Sequence, residues 1–178
     1  AAAAGLTAPL ALKGLGIAHK TEHGAVRLGL DPGQVATAAR SMAAPEGYLV
    51  EEMIEGAVAE LILGVVREDP YGFALTIGAG GILTELVQDT ATLLVPASAD
   101  DVRRAIGQLK IAPLLRGFRG RPAADETAIV AMTMALQAYV IAEADKLVEL
   151  DINPVIVTPG RAVAADALIR LTDTDQTV

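Results

Sequence analysis

LALKGLGIAHKTEHGAVRLGL, residues 10–30, sets Lys13, His19, Lys20 and His23 among glycines, and it holds both histidines of the chain. The apolar run from Ala8 to Ile17 predicts a buried strand with Lys13 inside it, and AVRLGL, residues 25–30, predicts its hairpin partner. The glycines and charges between them make the turn. An ammonium group in an apolar strand is costly unless a negative group meets it. A nucleotide phosphate is one such partner for Lys13, because lysine binds phosphate as a point charge. The alternative is a lysine that snorkels from an edge strand to water. His19, in a glycine-flanked turn, can serve as acid, base or phosphate acceptor, or can be a solvated loop histidine. His23 is less informative.

Outward from this hairpin, DPGQVATAARSM predicts a helix with Asp31 as its cap and Pro32 at its first position. GYLVEEMI and VAELILGVVRE read as strands, DPYG as a turn and FALTIGAG as a further strand. GGILTELVQDTATLLVP continues as strands broken by glycine and by Asp89. From SADDVRRAIGQL the period becomes helical. Val102, Ile106 and Leu109 share a face, and Ser98 with Asp101 has the spacing of a capping box, with Asp in place of the usual Glu. LLRGFRGRP is a basic loop, and ADETAIVAMTMALQAYVIAEA predicts a long amphipathic helix. The last block, KLVELDINPVIVTPGRAVAADALIRL, predicts two strands around a Pro-Gly turn. Strands and helices mix without strict alternation, which favours an α+β fold over a doubly wound sheet. The expected organisation is one domain over 1–178. Its strands and carrier loop lie in 1–95, its helices and final hairpin in 96–178, and the basic loop at 116–121 marks a boundary between substructures.

The 178 residues are 52% hydrophobic but only 3% aromatic, with no Trp and no Cys and a net charge of −8. The core must therefore be built from Ala, Leu, Ile and Val. A chain this acidic and this poor in aromatics has neither the stacking surfaces nor the charge of a nucleic-acid binder. Without cysteine there is no disulfide framework, thiolate metal site or cysteine nucleophile, which fits a cytoplasmic enzyme. No run approaches the roughly 18 to 20 apolar residues that span a bilayer, so no membrane association is expected. AAAAGL lacks the basic region of a signal peptide and an initiator Met, so the chain is expected to be part of a larger protein.

A second polar constellation lies near the C-terminus. Asp151 and Asn153, two apart on a strand, share a face, and Asp166 returns across the TPGR turn to a position beside Asn153. Oxygen ligands of this kind suit Mg²⁺ held between protein and phosphates. Alternatively, Asn153 merely starts a turn before Pro154. GAGGI, residues 78–82, could cradle phosphate with its amides, but it lacks the G-K-[ST] ending of a P-loop, so a tight turn is the default. VEEM, residues 50–53, is an ordinary strand end.

Taken together and in order, LKGLGIAHKTEHGAVRLGL, LVEEMIEGAVAELILGVVREDPYG, GAGGILTELVQD, APLLRGFRGRP and ELDINPVIV with AADALIRL resemble one family. It is the ATP-grasp domain of the ADP-forming (NDP-forming) acyl-CoA and acetyl-CoA synthetases, relatives of the succinyl-CoA synthetase β subunit. The resemblance implies an ATP-grasp fold of two α+β lobes with nucleotide between them, here without the family's N-terminal part. It implies that Lys13 contacts nucleotide phosphates and that Glu51, Glu52 and Met53 form the hinge segment receiving adenine. Asn153 and Asp166 match the Mg²⁺ ligands, Asp151 the acid that helps stabilise a phosphohistidine, and His19 the histidine that shuttles phosphoryl. The implied reaction interconverts acyl-CoA, ADP and phosphate with carboxylic acid, CoA and ATP. The implied partner is a CoA-binding domain or subunit carrying the primary phosphorylated histidine, with an exposed docking surface and oligomer formation as further expectations. The loop reads HKTEHGAV where many relatives have HKSDVGGV, so Ala25 replaces a glycine and reduces backbone freedom. The link from Leu30 to Gly47 is also shorter than in the family. Two other readings keep the fold: a non-catalytic regulatory module of a protein acetyltransferase, and an ATP-grasp ligase joining a carboxylate to an amine without a phosphohistidine.

Overall fold

The computed structural model describes residues 3, 5–17, 23–42, 46–81 and 88–172. The chain divides into two compact units, Ala1–Glu55 and Gly56–Val178.

The first unit is a three-stranded antiparallel sheet in the order β2-β1-β3, formed by β1 (Leu10–Gly14), β2 (Val26–Leu30) and β3 (Tyr48–Glu52). Leu10 and Leu12 are fully buried and pack with Val35 and Met42 in a small core. The hairpin expected from residues 10–30 is present, with Leu12 opposite Arg27 and Lys13 opposite Val26. Helix α1 (Val35–Arg40) starts later than the sequence predicts. The Asp31 carbonyl accepts the Gln34 amide at 2.9 Å, and the Asp31 amide donates to Gln34 Oε1 at 2.9 Å. Asp31 thus opens a turn whose corner Pro32 presets, and it does not cap the helix.

The second unit holds an antiparallel sheet in the order β6-β5-β4-β7-β8, with β9 also paired to β7. Its strands are β4 (Ala59–Glu68), β5 (Gly72–Ala79), β6 (Thr90–Val95), β7 (Leu147–Val157), β8 (Ala162–Ala164) and β9 (Ala167–Leu171). Alternation puts Leu61, Leu63 and Val65 of β4 and Leu75 and Ile77 of β5 into one core. Helices α2 (Ala99–Gln108) and α4 (Glu126–Ala142) add Val102, Ile106, Ile129, Leu136 and Val140 to it. A short helix, α3 (Ala112–Leu115), lies between them in the chain. The capping box at α2 forms: the Ser98 hydroxyl accepts the Asp101 amide at 3.2 Å, and the Ser98 amide donates to Asp101 Oδ2 at 3.0 Å.

Two sequence expectations change. The units part at Glu55/Gly56, and β6 pairs along β5 in the same sheet as β4 and β7. The basic loop at 116–121 lies inside the second unit, where the Ala124 amide closes it onto the Leu115 carbonyl at 2.8 Å. Helix α4 is not amphipathic. No charge occurs from Thr127 to Ala142, Ile141 is 55% exposed, and the polar Thr133 and Gln137 are the ones turned inward. Gln137 is buried because Ala97 satisfies it on both sides: its Oε1 accepts the Ala97 amide at 2.6 Å and its Nε2 donates to the Ala97 carbonyl at 3.3 Å. Among the described residues, no helix is long and apolar enough to cross a membrane.

Candidate functional site

In the first unit the register places two opposite charges on one face. Lys13 lies opposite Leu49 and Ala11 opposite Glu51, so Lys13 and Glu51 are diagonal neighbours. Lys13 Nζ lies 2.5 Å from Glu51 Oε2, with the lysine side chain 13% and the glutamate side chain 35% exposed. The negative group that a covered ammonium requires is thus supplied, at least in part, from the neighbouring strand. Glu52, pointing to the other face, accepts the Thr7 amide at 2.7 Å. Met53 ends the strand region, donating its amide to the Pro9 carbonyl at 2.9 Å and accepting the Gly29 amide on sulfur at 3.0 Å. His19 and Lys20 lie outside the described residues, and His23 is an exposed turn residue.

In the second unit, β7 and its return arm gather the other candidates. Leu61 is opposite Val155 and Leu63 opposite Ile152, so Asn153 and Pro154 together face the single residue Ile62. This is a bulge, a device that re-aims side chains and tolerates proline within a sheet. Asn153 therefore sits inside a strand and does not start a turn. The return arm is two strands where one was expected: β8 and β9 are interrupted at Ala165–Asp166, directly across from the bulge. The Asn153 amide donates to the Asp166 carbonyl at 3.2 Å, the Ala165 amide to the Pro154 carbonyl at 3.0 Å, and the Ala167 amide to Asp166 Oδ1 at 3.1 Å. Asn153 is exposed, while Asp151 and Asp166 are half-buried.

Asp151 faces Gly64 of β4 and Leu168 of β9. Burial, followed by the charges of Glu149 and Asp166, holds its carboxyl above the ordinary aspartate value. A raised folded-state pKa contributes stability below the unfolded value and loses it as pH rises through the folded one. Asp151→Asn is accordingly expected to raise the melting temperature at neutral pH, with the gain shrinking as the buffer is taken below the usual carboxylate range. Paired thermal melts across pH check this, and a gain that grows toward acid would contradict it.

The GAGGI segment is partly described. Gly80 donates its amide to the Glu60 carbonyl at 2.8 Å, and a Cβ at Gly80 would lie 3.0 Å from the Glu60 carbonyl carbon. Close backbone approach thus explains this glycine without a ligand, and residues 82–87 lie outside the described residues. Asp89, read from sequence only as a strand breaker, is a buried pin. Its carboxylate accepts the Lys110 amide at 2.6 Å and the Ile111 amide at 2.9 Å. Its position before the β6 strand gave no signal of this role, because its partners are distant in sequence. A cavity of about 350 Å³ between β6 and α2, lined by Thr90, Thr92, Asp101, Arg104 and Gln108, contains none of the candidate residues.

Comparison with known proteins bears on both units. The profile of the ATP-grasp domain matches residues 1–171. The β subunit of the ADP-forming acetate–CoA ligase II of Pyrococcus furiosus is 36% identical over 127 residues, covering 70% of this chain and 53% of that subunit. The chain thus spans about half the length of this relative. Among solved structures, the dinucleotide-forming acetyl-coenzyme A synthetase 1 of Ca. Korarchaeum cryptofilum, in complex with coenzyme A and Ca-AMPCP, superposes with a TM-score of 0.83. It is 31% identical, and the match covers 93% of this chain and 77% of that one. The same enzyme with coenzyme A and Mg-AMPPCP, its phosphohistidine segment pointing towards the nucleotide-binding site, gives 0.80 at 30% identity, covering 92% and 76%. Sequence profile and superposition agree along nearly the whole chain, and the chain belongs to the ATP-grasp domain family.

Proposed function

We propose that this chain is the nucleotide-binding part of an ADP-forming acid–thiol ligase of the acyl-CoA synthetase type. The observation that carries the reading is the bulge that sets Asn153 across from Asp166. The named activities of the similar ligases support it. In this reading Lys13 meets nucleotide phosphate, the Glu51–Met53 strand end receives adenine, and a CoA-binding partner domain or subunit carries the primary phosphohistidine. A cytoplasmic setting, where ADP and CoA are available, belongs to the same proposal.

The donor set fits Mg²⁺. A carboxylate and a carboxamide oxygen are hard ligands, and Mg²⁺ characteristically takes one or two protein oxygens and completes its shell with phosphates and water. Among the described residues no group of three or more His, Cys, Asp or Glu forms an all-protein cage, in keeping with that mode. Asn153 and Asp166 would hold the ion, which when bound neutralises phosphate charge. Lys13, in the first unit, would offer its ammonium charge to nucleotide phosphate. A neutral imidazole at His19 accepts the phosphoryl group by forming an N–P bond as the bond to the donor breaks. It releases the group when an ADP β-phosphate oxygen attacks phosphorus. Asp151, two positions before Asn153 on β7, matches the acid that helps stabilise a phosphohistidine in the family the sequence resembles.

Calorimetry with Mg·ATP tests the assignment by binding alone. Asp166→Ala is expected to weaken binding roughly tenfold or more, the scale of losing a charged contact, with the circular dichroism spectrum unchanged. If the variant and the parent bind Mg·ATP alike, Asp166 is not a metal ligand.

A further inference from the structure

We infer that Glu51 determines nucleotide affinity by occupying Lys13, so that an incoming phosphate must take the ammonium from this carboxylate. The inference rests on the reading of Lys13 as a phosphate contact and adds to it a role for the Glu51 side chain. Lys13 is largely covered, so its charge requires a counter-charge whether or not ligand is bound. The diagonal register and the 2.5 Å contact make Glu51 such a counter-charge. A phosphate arriving while the carboxylate stays would bring two negative groups to one ammonium, and like charges in a partly covered site repel strongly. Glu51 is placed to yield. Its side chain is 35% exposed, near the end of β3, and a rotamer change can carry it to water. The observed affinity is then the phosphate–lysine interaction less the carboxylate–lysine interaction it replaces.

The test is Mg·ATP binding by calorimetry to the parent chain, Glu51→Gln, Lys13→Met and the double variant. Removing the competing charge in Glu51→Gln is expected to tighten binding roughly fivefold to tenfold, whereas a merely structural glutamate would give no gain. In the Lys13→Met background, Glu51→Gln should give no gain, because the competition acts through Lys13. Glu51→Asp, which keeps the charge and shortens the reach, should fall between, and it carries the test if Glu51→Gln does not fold. Unchanged or weaker binding in these Glu51 variants overturns the inference while leaving the nucleotide reading intact. An equal gain with and without Lys13 also overturns it, by making Glu51 a direct repeller of phosphate. Failure of the folded parent and of every folded Glu51 variant to bind Mg·ATP removes the nucleotide reading and the inference together.

Discussion

Replacing His19 with alanine in the assembled ligase proposed above is expected to abolish phosphoryl passage to ADP while leaving acyl-phosphate formation from acyl-CoA and phosphate intact. The proposed reaction joins chemistry at a CoA site to chemistry at a nucleotide site in another domain, and a phosphoryl group released into water between them would be hydrolysed. A covalent carrier is therefore obligatory, and loss of an obligatory nucleophile should lower ATP formation by at least about a thousandfold. Acyl-phosphate trapped as hydroxamate reports the first half-reaction, and ATP production reports the second. His23 shares the segment but not the matched motif position, and it is an exposed turn residue. His23→Ala should keep most activity. If the two variants behave alike, or if His19→Ala makes ATP at nearly the parent rate, His19 is not the carrier.

Leu63→Ala should cause the largest loss of stability among these variants, about 2 to 5 kcal/mol in urea unfolding. Leu63 is fully buried on β4, with Ile77 opposite on β5 and Ile152 opposite on β7, so the cavity would open where three strands meet. The surrounding sheet pins all three strands by hydrogen bonds, which limits how far the site can collapse to fill the void. Ile152 lies between Asp151 and Asn153, so the same cavity lies under the proposed metal-binding strand. Leu94, 58% exposed on β6, is the matched control, and Leu94→Ala should stay within about 0.5 kcal/mol. Similar losses for the two variants would mean that β4 does not form the floor of the core.

Features set by neighbours in sequence were legible without coordinates. VAELILGVVRE read as the strand that buries Leu61, Leu63 and Val65, the Ser98–Asp101 spacing predicted the cap of α2, and the glycine-flanked Lys13 strand predicted its hairpin with β2. The five ordered blocks pointed to the ATP-grasp family because each preserves such local chemistry along the chain. The Asp31 turn was misplaced at the same local level: a single Gln34 side chain bonding back to the Asp31 amide moved the helix start, and Asp-Pro fits both arrangements.

What was decided only in three dimensions depends on which distant groups meet. Lys13 announced its need for a negative partner, but only the β1–β3 register selects Glu51. Asn153 was visible as an oxygen donor, yet whether it starts a turn or sits on a bulge depends on how β4 aligns with β7 on one side and how Asp166 meets it on the other. The segment of α4 was read as amphipathic, yet Gln137 and Thr133 turn inward, because the backbone of Ala97 and the helix's own Ile129 carbonyl provide hydrogen bonds inside the core. A side chain's propensity is a property of its own few neighbours. Its burial, its charge partner and the direction it points are settled by strand register and packing, which join residues far apart in the chain and leave no local period to read.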